Sequence, residues 1–386
     1  MFGCAQALRI MWEFSFWISL LAVGYSILGY PVLMAVLAKI RGRPARMAER
    51  ATQKVAIVLV ARNEEDRVRK RLQDLRDGGG GLVSQAVLVC DGCTDHTATR
   101  ARQLGWPALQ IEEVEQRTGK AGCLNRGVAR CTAPIVVFAD ARQSFHPKAI
   151  ERLARWFDDP QMGAVSGSLE IAPSEVGAGQ GVDIYWKLEK RLRLDEARID
   201  SAIGCTGAVY AIRRSLYHPI PEDTLLDDVV IPMAIAEQGY RVGFDPEAIA
   251  YDPQVLAPQL EKRRKVRTLA GNYQMLFRYP QWMAPWRCRL WWQLISHKYA
   301  RLAAPLFLAW AFLSNAVLAL YHPLYRVLFL GQLAAYGLAL VGMLNGGIKS
   351  RAVTAPAGFL FLQIMSLRAL TRFVQWRLNP KAESLW

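Results

Sequence analysis

Two kinds of apolar pattern alternate along the chain. Near its start, Phe14–Ile40 (FSFWISLLAVGYSILGYPVLMAVLAKI) carries no charge before Lys39, a run long enough to cross a bilayer as a helix. From about residue 54 the apolar runs shorten to VAIVLV, AVLV, IVVF and MGAVSGSLEI, the first three followed by a loop and a charged helical stretch. Strands alternating with helices predict a parallel sheet covered on both faces. Thr94 or Asp95 is placed to cap the second helix, and DGGGG (Asp77–Gly81) reads as a flexible turn. After about residue 281 the pattern changes again. WMAPWRCRLWWQLISHKYAR mixes aromatic and basic residues like an interfacial helix. Spans follow at roughly Leu302–Tyr321 and Val327–Leu344, with a shorter run at Val353–Met365 leading into basic SLRALTRFVQWRLNPK. The expected organisation is a membrane helix and basic flank over 1–45, a soluble α/β domain over 46–280, an interfacial helix over 281–300, and two or three spans with a basic tail over 301–386.

Composition supports this mixed character. Hydrophobic residues make up 52% of the 386, with 12 Trp, although 21% are charged. Lys and Arg outnumber Asp and Glu by 48 to 33, a formal charge of +15. Such an excess suits an anionic partner. The cations gather beside the spans, where anionic lipid accounts for them better than nucleic acid. Lys39, Arg41, Arg43, Arg46 and Arg50 follow the first span and only Arg9 precedes it. The positive-inside rule therefore predicts an outside N-terminus and a cytoplasmic α/β domain. The first apolar run is too long for a cleaved leader, and no small-residue cleavage pattern follows it. The 7 cysteines are odd in number and scattered, which speaks against a disulfide framework. Cys90 and Cys93 form a C-x-x-C without a second pair, so neither a zinc site nor a redox motif is expected.

Chemistry gathers where strands end. Arg62, Asn63, Glu64 and Glu65 follow the first strand, Asp91 and Gly92 the second, and Asp140 and Arg142 the third; Asp227 and Asp228 precede a helical run. Each alone reads as a cap or a solvated loop charge. Recurring at successive strands of one sheet, they would converge on one crevice, the ordinary place for a nucleotide. If the third strand stayed extended, Asp140 and Arg142 would point to one face. The chain has no P-loop and no G-x-G-x-x-G, but Gly119 and Lys120 open a helix, and helix N-terminal amides with a lysine can hold a pyrophosphate.

The ordered set VARNEE, VLVCDGCTD, GKAGCLN, IVVFADA, GCTGAVYAIRR, LLDD…EQGYRV and KRRKVRTLAGNYQ resembles the membrane-bound family-2 glycosyltransferases, which include cellulose, chitin and hyaluronan synthases. The resemblance covers about residues 54–275 and implies a GT-A, Rossmann-like α/β domain with a mixed, mainly parallel sheet beside transmembrane helices. It implies a donor site of Arg62, Asn63, Glu64, Asp91, Lys120, Asp140 and Arg142, with Asp91 near a uracil base and Asp140 as the first aspartate of D-x-D and a metal ligand. Asp228, with Asp227 beside it, matches the catalytic base. Arg267, with Arg264 and Gly207, matches the diphosphate and acceptor region. A divalent Mg2+ or Mn2+ is the implied cofactor.

The expected function is inverting transfer from a nucleotide-diphosphate sugar, a UDP-sugar in the first instance, to a lipid or glycan acceptor at a bacterial-type inner membrane. Anionic lipids, and a homo-oligomer or an export partner, are the other expected partners. Three departures qualify the match. Cys90 replaces the first of a frequent aspartate pair, Arg142 replaces the second D-x-D aspartate, and RKVRT at 264–268 lacks the glutamine and tryptophan of Q-x-x-R-W. The missing tryptophan argues against a simple cellulose- or hyaluronan-type synthase. The alternative these departures motivate is a catalytically degenerate membrane protein that binds nucleotide or scaffolds a synthesis complex. Arg142 in a ligand's place suggests a fixed cation that pairs with the diphosphate.

Overall fold

Every apolar run read as a strand forms one, because aliphatic and β-branched residues buried on both sides suit the interior of a parallel sheet. The computed structural model describes residues 2–44, 46–171, 178–252, 258–345, 348 and 350–379; the end of the basic tail, 380–386, lies outside them. α1 (Phe2–Gly24) passes through a π-helical turn into α2 (Tyr30–Arg41). The first half of the α/β domain comprises β1 (Val55–Ala61), α3 (Val68–Gly79), β2 (Val83–Asp91), α4 (Thr97–Arg102), β3 (Leu109–Val114), α5 (Lys120–Arg130) and β4 (Ile135–Asp140). Next come the short β5 (Ser144–Phe145), α6 (Ala149–Arg155), β6 (Met162–Ile171), α7 (Ala178–Ile199), β7 (Val209–Arg213), α8 (Asp227–Glu237), β8 (Arg241–Asp252) and α9 (Pro258–Arg278). The chain closes with α10 (Trp291–Leu294), α11 (Ala300–Ala319), α12 (Pro323–Leu344) and α13 (Arg351–Leu378).

Among the described residues, 8 strands make one sheet in the order β3-β2-β1-β4-β7-β6-β8-β5. β1 pairs in parallel with β2 and β4, β2 with β3, and β6 with β8, whereas β7 runs antiparallel to β4 and β6. Ala56 and Val58 enter one hydrophobic cluster, while Val55, Ile57 and Leu59 enter the other across the sheet. Reversing β7 has a consequence for the site. Val209 pairs with Ala139, so β7 begins at the edge where β4 ends.

Among the described residues, four helical stretches are long and apolar enough to cross a membrane: Gln6–Arg41, Trp291–Ala319, Pro323–Leu344 and Arg351–Leu378. They differ from the expected 281–300 interfacial helix. Residues 280–283 form a single 3-10 turn, whereas Trp291 begins a helix that continues through a π turn (Ile295–Tyr299) into α11. Tyr299 and Leu302 pack into the sheet's own core cluster, which makes the aromatic stretch a helix root. Part of DGGGG is likewise helical: α3 continues through Gly79.

A buried polar network fastens the domain to these helices. His297 sits between Glu189 (2.8 Å) and Glu196 (2.9 Å), both on α7. Tyr30 donates to Glu196 at 2.7 Å, and Arg301 pairs with the other oxygen of Glu189 at 2.8 Å. Helices from both ends of the chain thus grip one helix of the domain.

Candidate active site

Asp140 ends β4, and Arg71 anchors that end by donating Nε to the Asp140 carbonyl at 3.0 Å. The Asp140 carboxylate lies 3.0 Å from Lys120 Nζ, and Asp227 lies 3.4 Å from the same nitrogen. Lys120 is placed by a fixed loop. Gly119 at φ +86° adopts a conformation that L side chains rarely accept, and α5 starts at the next residue. Asp91, 4% exposed, accepts backbone N–H groups from Thr118 (2.7 Å) and Gly119 (3.1 Å). Asp91 thereby holds the turn that presents Lys120.

Asp227 and Asp228 open α8, where the helix dipole favours negative charge. The Asp228 carbonyl accepts from Cys205 N at 2.6 Å. Gly207 lies against the same aspartate: a Cβ there would stand 3.0 Å from Asp228 Oδ2. Any larger residue would push on the carboxylate. Burial, with the charge of Asp227, raises the Asp228 pKa to about 6, against the pull of Lys120 and Arg193. Burial works against the Lys120 ammonium, but Asp140, Asp227 and Asp228 outweigh it and raise its pKa above the usual lysine range.

Arg267 reaches this group from α9. Burial lowers its pKa, while the charges of Asp227, Asp140 and Asp228 support its cationic form. The C-terminal half of α9 is pinned to the loop before Asp227: Arg278 forms a two-pronged pair with Asp223 (2.9 and 2.7 Å), and Gln274 accepts from Leu225 N at 3.0 Å. Arg264 stands one turn earlier on the same helix and is exposed.

The other expected residues lie differently. Asn63, at φ +53°, exchanges hydrogen bonds with Thr94. Glu64 donates its N–H to Thr97 Oγ1 at 2.8 Å and its carboxylate pairs with Arg67. These two residues clamp the loops after β1 and β2 together, and Arg62 is exposed beside them. Asp95, one of the two expected caps, accepts from Thr97 N at 3.0 Å. Asp140 and Arg142, expected on one face of an extended strand, part at the strand's end. β4 ends at Asp140 and the chain bends through Ala141 and Arg142, so the strand's two-residue alternation stops there. Arg142 pairs with Asp252 on β8, which also accepts from Gln143.

Arg193 belongs to no motif legible in the sequence. It reaches from α7 to Thr206 Oγ1 (3.3 Å) and Glu189 (3.3 Å), and its charge acts on Asp228. It lies in no strand-end pattern, so only the packing of α7 reveals it.

The arrangement is one lysine and one arginine facing three carboxylates at the edge where β4 ends and β7 begins. A curled, mixed sheet with this edge is a GT-A glycosyltransferase fold. A mannosyltransferase from Pyrobaculum calidifontis, solved with GDP-Man and Mn2+, shares that fold with a TM-score of 0.70 at 21% identity, covering 95% of this chain and 99% of that one. Residues 56–219 match the family model for glycosyl transferase family 2, and the chain carries a family 2 glycosyltransferase domain. Glucosyl-3-phosphoglycerate synthase of Mycolicibacterium smegmatis is 34% identical over 98 residues, 24% of this chain and 32% of that protein. Poly-beta-1,6-N-acetyl-D-glucosamine synthase of Staphylococcus aureus is 23% identical over 205 residues, 50% of this chain and 48% of that protein. The chain thus spans less than half the length of these curated relatives.

Proposed function

We propose that the protein transfers a sugar from a nucleoside-diphosphate sugar to a lipid or glycan acceptor at a membrane surface, with inversion at the anomeric carbon. The observation that carries this reading is the meeting of Lys120, Arg267, Asp140, Asp227 and Asp228 at one sheet edge, beside helices apolar enough to cross a membrane. Asp228 is the general base. A carboxylate with a pKa of about 6 is ionised at neutral pH yet basic enough to take a proton from an attacking hydroxyl. Lys120 and Arg267 meet the charge that grows on the departing diphosphate. Asp91, Asn63 and Glu64 set the loops that face the nucleotide, and a UDP-sugar is the first donor to test.

Among the described residues no group of three or more His, Cys, Asp or Glu side chains gathers as a metal cage. That fits a hard cation carried by the donor, because Mg2+ is commonly held by one or two carboxylates plus phosphate oxygens and water. Asp140 would hold it, with Asp227 next to it; the buried Asp227 Oδ2 makes no hydrogen bond among the described residues, and Lys120 Nζ stands 3.4 Å from it. When bound, such an ion neutralises diphosphate charge. Lys120 pairs with both carboxylates and so orients them.

The test is transfer by the purified protein. Labelled nucleotide-sugars are incubated with it in lipid nanodiscs, and label is followed into an acceptor-linked product. Wild-type protein is expected to transfer, or to hydrolyse the donor slowly; the Asp228→Asn protein is expected to do neither. Equal turnover by the two would remove Asp228 from its role.

A further inference from the structure

α13 has 28 residues, about 42 Å of helix, and is apolar enough to cross a bilayer. If it crossed, its two ends would lie on opposite faces of the membrane. Its contacts place it otherwise. We propose that α13 does not cross, but lies along the membrane surface on the side of the catalytic domain, with its arginines at the level of anionic lipid headgroups. The inference rests on the membrane-embedded reading of the other three helical stretches, and not on the reaction.

Three anchors fix α13 along its length. At its start, Val353 and Ala357 pack on Gly342 near the end of α12, where an added Cβ would meet each at 2.8 Å. At its middle, Ser366 Oγ donates to the Leu302 carbonyl at 3.1 Å, in the first turn of α11. Near its end, Phe373 stacks on Tyr273 (6.1 Å) and Phe277 (5.4 Å) of α9, and Arg377 lies 4.9 Å over the Phe277 ring.

All three partners belong to the domain side. The start of α11 is rooted there, since Leu294 and Leu302 share a cluster with Val58 and Phe138 of the sheet. α11 and α12 form an antiparallel hairpin that turns at His322: Phe312 meets Phe329 (5.2 Å) and Tyr336 (5.9 Å). α12 therefore runs back from the far end towards the domain. A crossing α13 would bring Ser366 and Phe373 up beside that far turn, not onto Leu302 and α9.

The side chains of α13 suit a surface helix. Ala357, Met365, Ala369 and Phe373 are buried along one face. Away from that face, Arg368 is exposed and Arg372, one turn on, is half-buried, with Leu367 (41% exposed) and Val374 (45% exposed) nearby. Apolar stems with arginine heads match the boundary between acyl chains and anionic headgroups. With three crossings, these arginines share a side with Lys39, Arg41 and Arg43, as the positive-inside rule requires. Four crossings would place them opposite. In this position α13 also presses on α9, the helix that carries Arg267 and holds the loop before Asp227.

Introduced cysteines test the arrangement in a full-length chain with Cys4 and Cys93 changed to Ser, the other native cysteines, Cys90, Cys123, Cys131, Cys205 and Cys288, being buried. His322→Cys, Ser350→Cys and Asn379→Cys are each labelled with a membrane-impermeant maleimide, in sealed vesicles of both orientations. The proposal expects Ser350→Cys and Asn379→Cys to label from one face and His322→Cys from the other. Labelling of Asn379→Cys together with His322→Cys would overturn it. Labelling of all three from a single face would also overturn it, by removing the α11–α12 crossing on which it rests. Transferase activity is read separately, so neither outcome bears on the reaction.

Discussion

Replacing Asp228 by Asn should suppress transfer and at the same time stabilise the protein in a pH-dependent way. The folded protein raises this carboxyl from 3.8 to about 6, chiefly by burial and by the charge of Asp227. A folded-state pKa above the unfolded value favours the protonated form. The contribution is therefore fully present below about pH 4 and is lost as pH rises through about 6. Two pH units correspond to about 3 kcal/mol at 1.36 kcal/mol per unit. At pH 8 the wild-type fold bears that cost and the Asn variant does not. Stabilisation by about 3 kcal/mol is expected at pH 8, shrinking towards zero near pH 4. Thermal unfolding of both proteins in one detergent, across about pH 4–8, measures the difference. Activity should fall by roughly 10²–10⁴, the usual contribution of general-base catalysis. A variant that is less stable than wild type at pH 8, or that transfers sugar within about tenfold of the wild-type rate, would refute the reasoning.

Other substitutions probe the same site from different sides. Wild-type turnover should rise with pH through about 6 as Asp228 ionises, and Lys120→Gln should move that limb to higher pH, because the ammonium holds the Asp228 pKa down; an unmoved or lowered limb would remove the coupling. Arg267→Ala should lower kcat by about 10²–10³ if its guanidinium meets leaving-group charge, which single-turnover rates at saturating donor would show. Glu196→Ala removes the acceptor of the buried Tyr30 hydroxyl while His297 keeps Glu189, and should destabilise the protein by about 1–3 kcal/mol, read as a lowered Tm. Chelation of divalent ions should suppress turnover, with recovery on adding Mn2+ or Mg2+; full activity in chelator would exclude an ion held by Asp140.

Much of the fold is legible in the sequence because its strands are buried on both faces, which forces near-continuous aliphatic runs such as Val55–Ala61 and Ile135–Asp140. The convergence of Lys120, Asp140 and the 227–228 pair follows from strand ends meeting at one edge. Tertiary choices are what the sequence hides. Nothing local says that β7 runs backwards and so carries Gly207 to the end of β4. The bend after Asp140 turns Arg142 to Asp252, whereas strand alternation alone would keep it beside Asp140. Arg193 is one arginine among several on a charged helix, and only α7's contact with the 205–207 turn brings it near Asp228. The aromatic stretch around Trp291 reads as interfacial because basic residues interrupt it. Glu189 and Glu196, far away in the chain, pair with His297 and Arg301 and let that segment be the root of a helix apolar enough to cross a membrane.

The central claim is that this edge handles a nucleoside-diphosphate sugar and passes its sugar to a membrane acceptor. A panel of labelled nucleotide-sugars, presented to purified protein in nanodiscs of bacterial lipid, tests it most directly. The account predicts one donor whose sugar enters an acceptor-linked product with inverted anomeric configuration, and no such product from the Asp228→Asn protein. Label entering product with retained configuration, or at equal rates from both proteins, would contradict it.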